Sequence, residues 1–404
     1  VTRTLLLDLD DTLLDNETGE FLPVYLKKLG DHLASHAPPD KLVPALLAAT
    51  RAMIQNNEPD RTLKDIFDAQ FYPSLGIDEE AIRADIEDFY ANVFPSLRSL
   101  TQPKPEAIEV VQYAFDCGYQ VVVATNPIFP QSAILQRLGW ANLWPENYAF
   151  KLIVSYETFH FAKPNPAFFG EILARLGWPT GPVIMVGDDL ENDIHAARRL
   201  GLAAFWLTQK GQTPKTGLIA PTAAGSLADV IPWLEATASD ELIPQYASTD
   251  SLVATLRATP AALSALSIDV PTSAYNRRPI SGEWSLTEIL CHLRDVEQEV
   301  NLPRVHKVMN ETDPFLPGMV TDPWAEEREY ICQDGRLALE AFTRNRLQML
   351  ELLDSLSQDD WQRRARHAIF GPTQLKELVS INAGHDRLHV RQFLNTITNT
   401  INAI

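Results

Sequence analysis

Five short runs, apolar almost throughout, set the frame for the first 235 residues: "RTLLLDLD" (3–10), "YQVVVATN" (119–126), "KLIVSY" (151–156), "PVIMVGDD" (182–189) and "AAFWLT" (203–208). A strand wetted on one face alternates apolar and polar residues, whereas a strand covered on both faces has no need to. Helical stretches, among them 165–176 and 190–200, fall between these runs. Strand and helix in alternation predict a doubly wound α/β domain around a parallel sheet. One insertion breaks the alternation. From residue 16 to about residue 100 there is no convincing strand, only amphipathic helical pattern such as "FLPVYLKKLGDHLASH", "DKLVPALLAATRAMIQ" and "IRADIEDFYANVF".

After Trp233 the pattern changes. "ATASDELIPQYASTD" (236–250) is small and polar and reads as a linker. Beyond it the chain is mostly helical, at 249–266, 285–301, 336–357 and 373–398, which predicts a second, all-α domain of bundle type. A chain of 404 residues is too long for one ordinary core. The expected division is 1–238, with a core of 1–15 and 101–238 and a helical insertion at 16–100, followed by 248–404.

Composition excludes several function classes. A net charge of −19 argues against nucleic acid or anionic lipid as the main partner, because both require basic surface. No run of about 18 apolar residues is present, so no membrane span is expected. Acids inside the apolar N-terminal stretch "VTRTLLLDLDDTLLD" argue against a signal peptide. Cys117, Cys291 and Cys332 are odd in number and far apart, which fits a reducing cytoplasm better than a disulfide scaffold.

The chemistry of the first domain gathers at predicted strand ends. "LLLDLDDTLL" puts Asp8 and Asp10 at the carboxyl end of the first strand, the edge where open α/β sheets bind ligands. Residues i and i+2 of a strand share a side, so both carboxylates face one site. "VGDDLENDI" places Asp188, Asp189 and Asp193 at another strand end. Two acidic clusters side by side repel unless a cation joins them, and hard oxygen ligands of this kind suit Mg²⁺. "VVVATNP" contributes Thr125 and Asn126, and "FAKPNP" contributes Lys163. A hydroxyl, an amide and an ammonium are donors fitted to a phosphoryl group.

These four segments, "DLDDT", "VVVATN", "AKPNP" and "GDDLEND", resemble in sequence and order the four motifs of the haloacid dehalogenase superfamily. The resemblance covers about residues 1–235. It implies that Asp8 attacks phosphorus to form an aspartyl-phosphate, while Asp10 protonates the leaving oxygen and then activates water. It implies that Thr125 and Lys163 hold the phosphoryl oxygens, with Asn126 as a further contact or a turn former. Mg²⁺ would be held by Asp8, the Asp10 backbone carbonyl and Asp188. Asp193, with Asp189 as a further candidate, would ligate or orient. Dehalogenating relatives lack the second Asp of the first motif, so Asp10 favours phosphoryl transfer, as a phosphatase or as a phosphomutase with the same motifs. The helical insertion stands where this superfamily carries a cap that excludes water and selects a small phosphorylated metabolite. Phe21, Tyr25 and Phe71 lie in that insertion, where aromatic residues at helical spacing are ordinarily core packing. The pattern needs neither His160 nor His195.

In the second domain, "AGHDRLHVRQF" (383–393) is one letter from the zinc-protease pattern HExxH, with Asp386 in the place of its Glu. His385 and His389 share a helix face, on an expected inward stripe of Ile381, His385, Leu388, His389, Phe393 and Ile397. Asp386 lies about 100° around the helix from His385, away from any metal that the pair holds, which removes the protease reading. On "SLTEILCHLRDVEQEV", His292 follows Ile289 by three residues and faces inward too. Three inward histidines form a facial nitrogen set with open positions. "GEWSLTEILCHLRDVEQE" and "INAGHDRLHVRQF" resemble the DinB-like four-helix bundles over about residues 248–404. That resemblance implies a divalent metal, Zn²⁺ or Ni²⁺, on His292, His385 and His389, with Asp295 and Glu299 as candidates to orient the ligands. It also implies, as alternatives for this domain, a transferase chemistry that uses a small thiol or a non-catalytic binding or dimerisation module.

Overall fold

The computed structural model describes residues 2–16, 18–208, 217–280 and 282–401. The chain enters through β1 (Thr4–Leu7), every residue of which is buried. It then turns through the short strand β2 (Leu14–Asp15), which pairs antiparallel with β3 (Gln102–Pro103). That pair forms the base of the insertion. Between its strands run α1 (Thr18–His32), α2 (Pro39–Gln55), α3 (Leu63–Leu75) and α4 (Glu79–Asp88), followed by a wider, π-helical turn over Phe89–Val93 and tighter, 3-10 turns over Phe94–Leu100. Thr62 and Asp65 cap the start of α3 reciprocally. Phe21, Tyr25 and Phe71 are buried in the apolar core of this unit, and Phe94 stacks on Trp140 at 5.2 Å. The three aromatic residues therefore serve packing.

After the insertion come α5 (Pro105–Asp116), β4 (Gln120–Val123), α6 (Gln131–Trp140), β5 (Leu152–Ile153), α7 (Pro166–Arg175) and β6 (Val183–Gly187). A π-helical turn, Leu190–His195, runs into α8 (Ala196–Leu200), and β7 (Ala203–Leu207), β8 (Ala223–Gly225) and α9 (Val230–Ala236) complete this part. The sheet order is β5-β4-β1-β6-β7-β8, with every pairing parallel. In register, Leu7 sits between Val123 and Val186. The strands on either side of β1 thus end beside it, and the loops that follow all three converge on one edge. The five expected runs are five of these strands; β8 was not expected, its "AAG" being too small to show as an apolar run.

The later part is helical: α10 (Thr249–Ser267), α11 (Leu286–Val296), α12 (Leu302–Asn310), the short α13 (Trp324–Glu327), α14 (Gly335–Asp354) and α15 (Leu375–Ile401). A small sheet of β9 (Phe315–Leu316), β10 (Arg364–His367) and β11 (Gly371–Gln374) accompanies the helices. The expectation of a mostly helical domain omitted it. Its strands are two to four residues long and carry no extended alternation.

Two compact units result. One comprises Val1–Asn57, Arg61–Phe168 and Pro179–Gln245; the other comprises Glu58–Asp60, Phe169–Trp178 and Tyr246–Ile404. The expected division put residues 58–60 and 169–178 with the first unit, and they group with the second. Within that second unit, Arg391 donates to the carbonyls of Gly177 at 3.0 Å and Trp178 at 2.7 Å.

The expected inward stripe of α15 needs correction. Ile381 is 40% exposed and Leu388 58%, while Asn382, Asp386 and Thr396 are buried. The buried face is turned toward polar residues because their partners lie inside. Arg346, fully buried on α14, donates from Nε to Glu297 at 2.6 Å and from Nη1 to Asp386 at 2.6 Å and to the Leu256 carbonyl at 2.7 Å.

Candidate active site and metal centre

Asp8 immediately follows β1, and its backbone N–H donates to the Val186 carbonyl at 3.0 Å. Its carboxylate is thereby fixed at the carboxyl edge of the sheet. Lys163, 2% exposed, reaches that edge and donates from Nζ to Asp8 Oδ1 at 2.7 Å and to Asp193 Oδ1 at 2.5 Å. Burial alone would lower the Lys163 ammonium, but Asp193 and Asp8 outweigh it and hold it above its ordinary value. The lysine is therefore a fixed positive charge at neutral pH. Asn126 accepts from the Lys163 backbone N–H at 3.1 Å through its side-chain oxygen, so it holds the segment that carries the lysine. Thr125 is buried beside it in sequence.

Asp188 follows β6 as Asp8 follows β1. Thr12 donates to its Oδ1 at 3.3 Å, and the Trp206 indole donates to its backbone carbonyl at 2.8 Å. Burial first, then the charges of Asp8, Asp11 and Asp189, pushes its carboxyl up to about 7. Ligand oxygens of Asp8, Asp188 and Asp193 lie within 4.8 Å of one another. Three carboxylates crowded at that distance, with Asp188 and Asp193 both raised above the ordinary carboxylate range by burial first, are a donor set that fits a hard divalent cation such as Mg²⁺. Asp193 has both oxygens engaged, Oδ1 by Lys163 and Oδ2 by the Asp189 backbone N–H at 3.1 Å. Asp189 accepts from the backbone N–H groups of Glu191 and Asn192 and caps the turn that begins there.

Asp10 is held on both oxygens. Asn16 donates from Nδ2 to Oδ1 at 2.6 Å, and the guanidinium of Arg137 pairs with Oδ2. Arg137 sits on α6, buried at 3% exposure, with the ring of Phe129 5.0 Å from its Cζ. Burial lowers its guanidinium to about 10, which leaves it charged at neutral pH. His160 is buried, its carbonyl accepting from Asn56, and His195 accepts the Ile219 backbone N–H through Nδ1. Both serve the scaffold.

In the second unit, His292 of α11 and His385 and His389 of α15 bring ligand nitrogens within 4.8 Å of one another. The Nε2 atoms of His292 and His385 are 3.0 Å apart, and the buried Nδ1 atoms of both find no hydrogen-bond partner among the described residues. His389 Nδ1 is 2.9 Å from Gln392 Oε1, which turns Nε2 toward the other two rings. The Trp284 ring stacks on His389, 8° from parallel. Burial first, then the neighbouring imidazoles, pushes His292 down to about 3. Burial likewise leads in pushing His385 down to about 3 and in lowering His389. Three neutral imidazoles aimed at one point fit a transition-metal ion such as Zn²⁺ or Ni²⁺. Asp295 is engaged elsewhere, by Arg294, Arg328 and Tyr330, and Glu299 by Arg328.

Residues 2–201 match the model of the haloacid dehalogenase-like hydrolases, and residues 252–393 match that of the DinB superfamily. The chain carries a haloacid dehalogenase-like hydrolase domain followed by a DinB-superfamily domain. Haloacid dehalogenase-like hydrolase domain-containing protein 3 of Danio rerio is 41% identical over 61 residues, 15% of this chain and 25% of that protein. The chain thus spans a quarter of that relative's length. Phosphoglycolate phosphatase of Pseudomonas savastanoi pv. phaseolicola is 23% identical over 51% of this chain and 69% of its own. Among solved structures, YfiT of Bacillus subtilis, a four-helix bundle of unusual topology, covers 42% of this chain and 90% of its own at 18% identity and a TM-score of 0.34.

Within the hydrolase part, the residues that sequence reasoning missed are Arg137, Asn16, Thr12 and Trp206. Trp284 and Gln392 lie within the segments that carry the DinB resemblance, and the structure adds that Trp284 stacks on His389 and Gln392 meets its Nδ1. Asn16 lay close to the first motif and was open to notice. Arg137 carries no local signal, being one arginine on an ordinary amphipathic helix.

Proposed function

We propose that the hydrolase unit is a Mg²⁺-dependent phosphatase for phosphate monoesters of small metabolites, acting through an aspartyl-phosphate on Asp8. The observation that carries this reading is the Lys163 ammonium, 2.7 Å from Asp8 and 2.5 Å from Asp193, at the strand edge that Asp188 completes. A carboxylate nucleophile attacking a dianionic phosphoryl group needs positive charge already in place, and the buried lysine is such a charge. Asp8, Asp188 and the Asp10 carbonyl would hold Mg²⁺, which supplies further charge against the phosphoryl oxygens.

An Asp8 oxygen attacks phosphorus, the ester P–O bond breaks, and the leaving oxygen takes a proton from the Asp10 carboxyl. Asp10, now a carboxylate, removes a proton from water as that water's oxygen adds to phosphorus. The Asp8–phosphorus bond breaks, and inorganic phosphate leaves with Asp8 restored. Thr125 and Lys163 hold the phosphoryl oxygens, Asn126 supports the Lys163 segment, and Asp193 orients the ammonium. Phosphatase relatives such as the Pseudomonas enzyme support a phosphorylated small molecule as substrate. A second alcohol in place of water would make the same site a phosphomutase. Asp8→Asn is expected to abolish turnover of 4-nitrophenyl phosphate with Mg²⁺ present, whereas a variant as fast as wild type sinks the reading.

A second reading concerns the bundle. The convergence of three neutral imidazoles supports a separate transition-metal site with chemistry of its own, in which a small thiol is a candidate co-substrate.

A further inference from the structure

We propose that Arg137 is the positioning residue for Asp10, fixing its carboxyl on the leaving-group side of the site. The proposal rests on the phosphatase reading and goes beyond it. It concerns a residue outside the four motifs and a particular half of the reaction, protonation of the leaving oxygen.

Asp10 has little else to hold it. It lies beyond β1 in a loop whose next residue, Asp11, takes the left-handed conformation at φ 57. Its side chain is 26% exposed, against 9% for Asp8 and 2% for Asp193. A general acid is effective only when its oxygen stands within hydrogen-bond reach of the atom it protonates, and a carboxyl free to rotate spends most of its time elsewhere. Two donors from different elements restrict it: Asn16 on Oδ1 at 2.6 Å, and Arg137 on Oδ2.

The surroundings of Arg137 argue that it is held for this purpose. The side chain is wedged with its Cζ 5.0 Å from the Phe129 ring centre and 6.0 Å from that of Phe21, which sets its direction. Its Nε is buried without a hydrogen-bond partner among the described residues. An apolar residue on this face of α6 would fill the same space with no buried charge and no unpaired N–H. What an apolar residue lacks is the planar fork that fixes a carboxylate oxygen in one place. Arg137 itself carries no proton to the substrate, and it acts through Asp10.

Leaving-group dependence separates this role from a structural one. Alkyl phosphates release a basic alkoxide that must be protonated as it leaves, whereas 4-nitrophenyl phosphate releases a stable anion that needs no such help. With the full chain and Mg²⁺, Arg137→Met is expected to lose about 10²-fold in kcat on alkyl phosphates, the lower end of what general acid catalysis contributes. KM for the alkyl phosphates should hardly change. The first-turnover burst of nitrophenolate from 4-nitrophenyl phosphate, which needs no acid, should keep its rate within about threefold of wild type, whereas its steady-state turnover falls because Asp10 also serves as the base for water. Arg137→Lys should recover part of the alkyl-ester rate. Should Arg137→Met fail to fold, Asn16→Ala, which removes the other donor, tests the same dependence and should show the same bias. An equal loss in the first-turnover rate on all esters would make Arg137 a structural residue and overturn the proposal, as would no loss at all. A loss confined to esters whose alcohol bears a carboxylate would make Arg137 a substrate contact and overturn it too. Asp8→Asn distinguishes the underlying reading: if that variant stays active, it is the phosphatase mechanism that has failed.

Discussion

A β-carbon added to Gly187 would stand 2.2 Å from Oδ2 of Asp193, a distance no real atom pair sustains. Gly187 closes β6, and its lack of a side chain lets Asp193 fold back over the strand end to meet both Lys163 and the Asp189 backbone. Gly187→Ala is therefore expected to destabilise the protein by about 1–3 kcal/mol, as overpacking of a filled site does. It should also lower turnover, because Asp193 would be pushed off the lysine. Denaturant titration and turnover of 4-nitrophenyl phosphate check both, and a variant matching wild type in each would show that the site has slack. At this scale the four motifs were legible, since a strand end dictates where Asp8 and Asp188 stand. The crowding around Gly187 was not, because it depends on how the following turn folds back.

Among elements, α11 shows how a local signal fixes a site. Ser285 and Glu288 cap its start reciprocally: Glu288 Oε2 accepts the Ser285 backbone N–H at 2.8 Å, and Ser285 Oγ accepts the Glu288 backbone N–H at 3.3 Å. Arg278 Nε adds a bond to Oε2 at 3.0 Å. Burial alone would raise the Glu288 carboxyl, but Arg278 and Ser285 outweigh it and hold the group below its ordinary value. A depressed carboxylate contributes stability above its unfolded value of about 4.3, and that contribution is lost as pH falls through the folded value. Glu288→Gln should thus cost about 1 kcal/mol at neutral pH. The difference from wild type should shrink on acidification. A difference that stays constant down to acid unfolding would count against the ion pair. On α15, by contrast, periodicity misplaced the face: counting apolar residues put Ile381 and Leu388 inside. It could not see that Asp386 would be buried against Arg346, because the arginine comes from another helix.

For the molecule as a whole, the two candidate centres offer different donors, three carboxylates in one and three imidazoles in the other, and one chain carries both. Replacing His292, His385 and His389 together by Ala should remove one equivalent of bound Zn²⁺ or Ni²⁺ per chain, while Asp8→Asn should keep it. Elemental analysis of the full-length variants decides the matter, and equal metal content in the triple variant and wild type would end the case for a histidine site. Among the described residues, no helix is long and apolar enough to cross a membrane. The sequence alone determined the parallel α/β frame, the acids at its strand ends and the histidines on their helices, because each rests on spacing within one element. The tertiary structure decided that Arg137 and Asn16 hold Asp10, that Asp193 answers to Lys163, that Asp386 belongs to Arg346, and that residues 169–178 group with the second unit. Those partners are distant in sequence, and only the packing of separate elements brings a buried charge to its counter-charge.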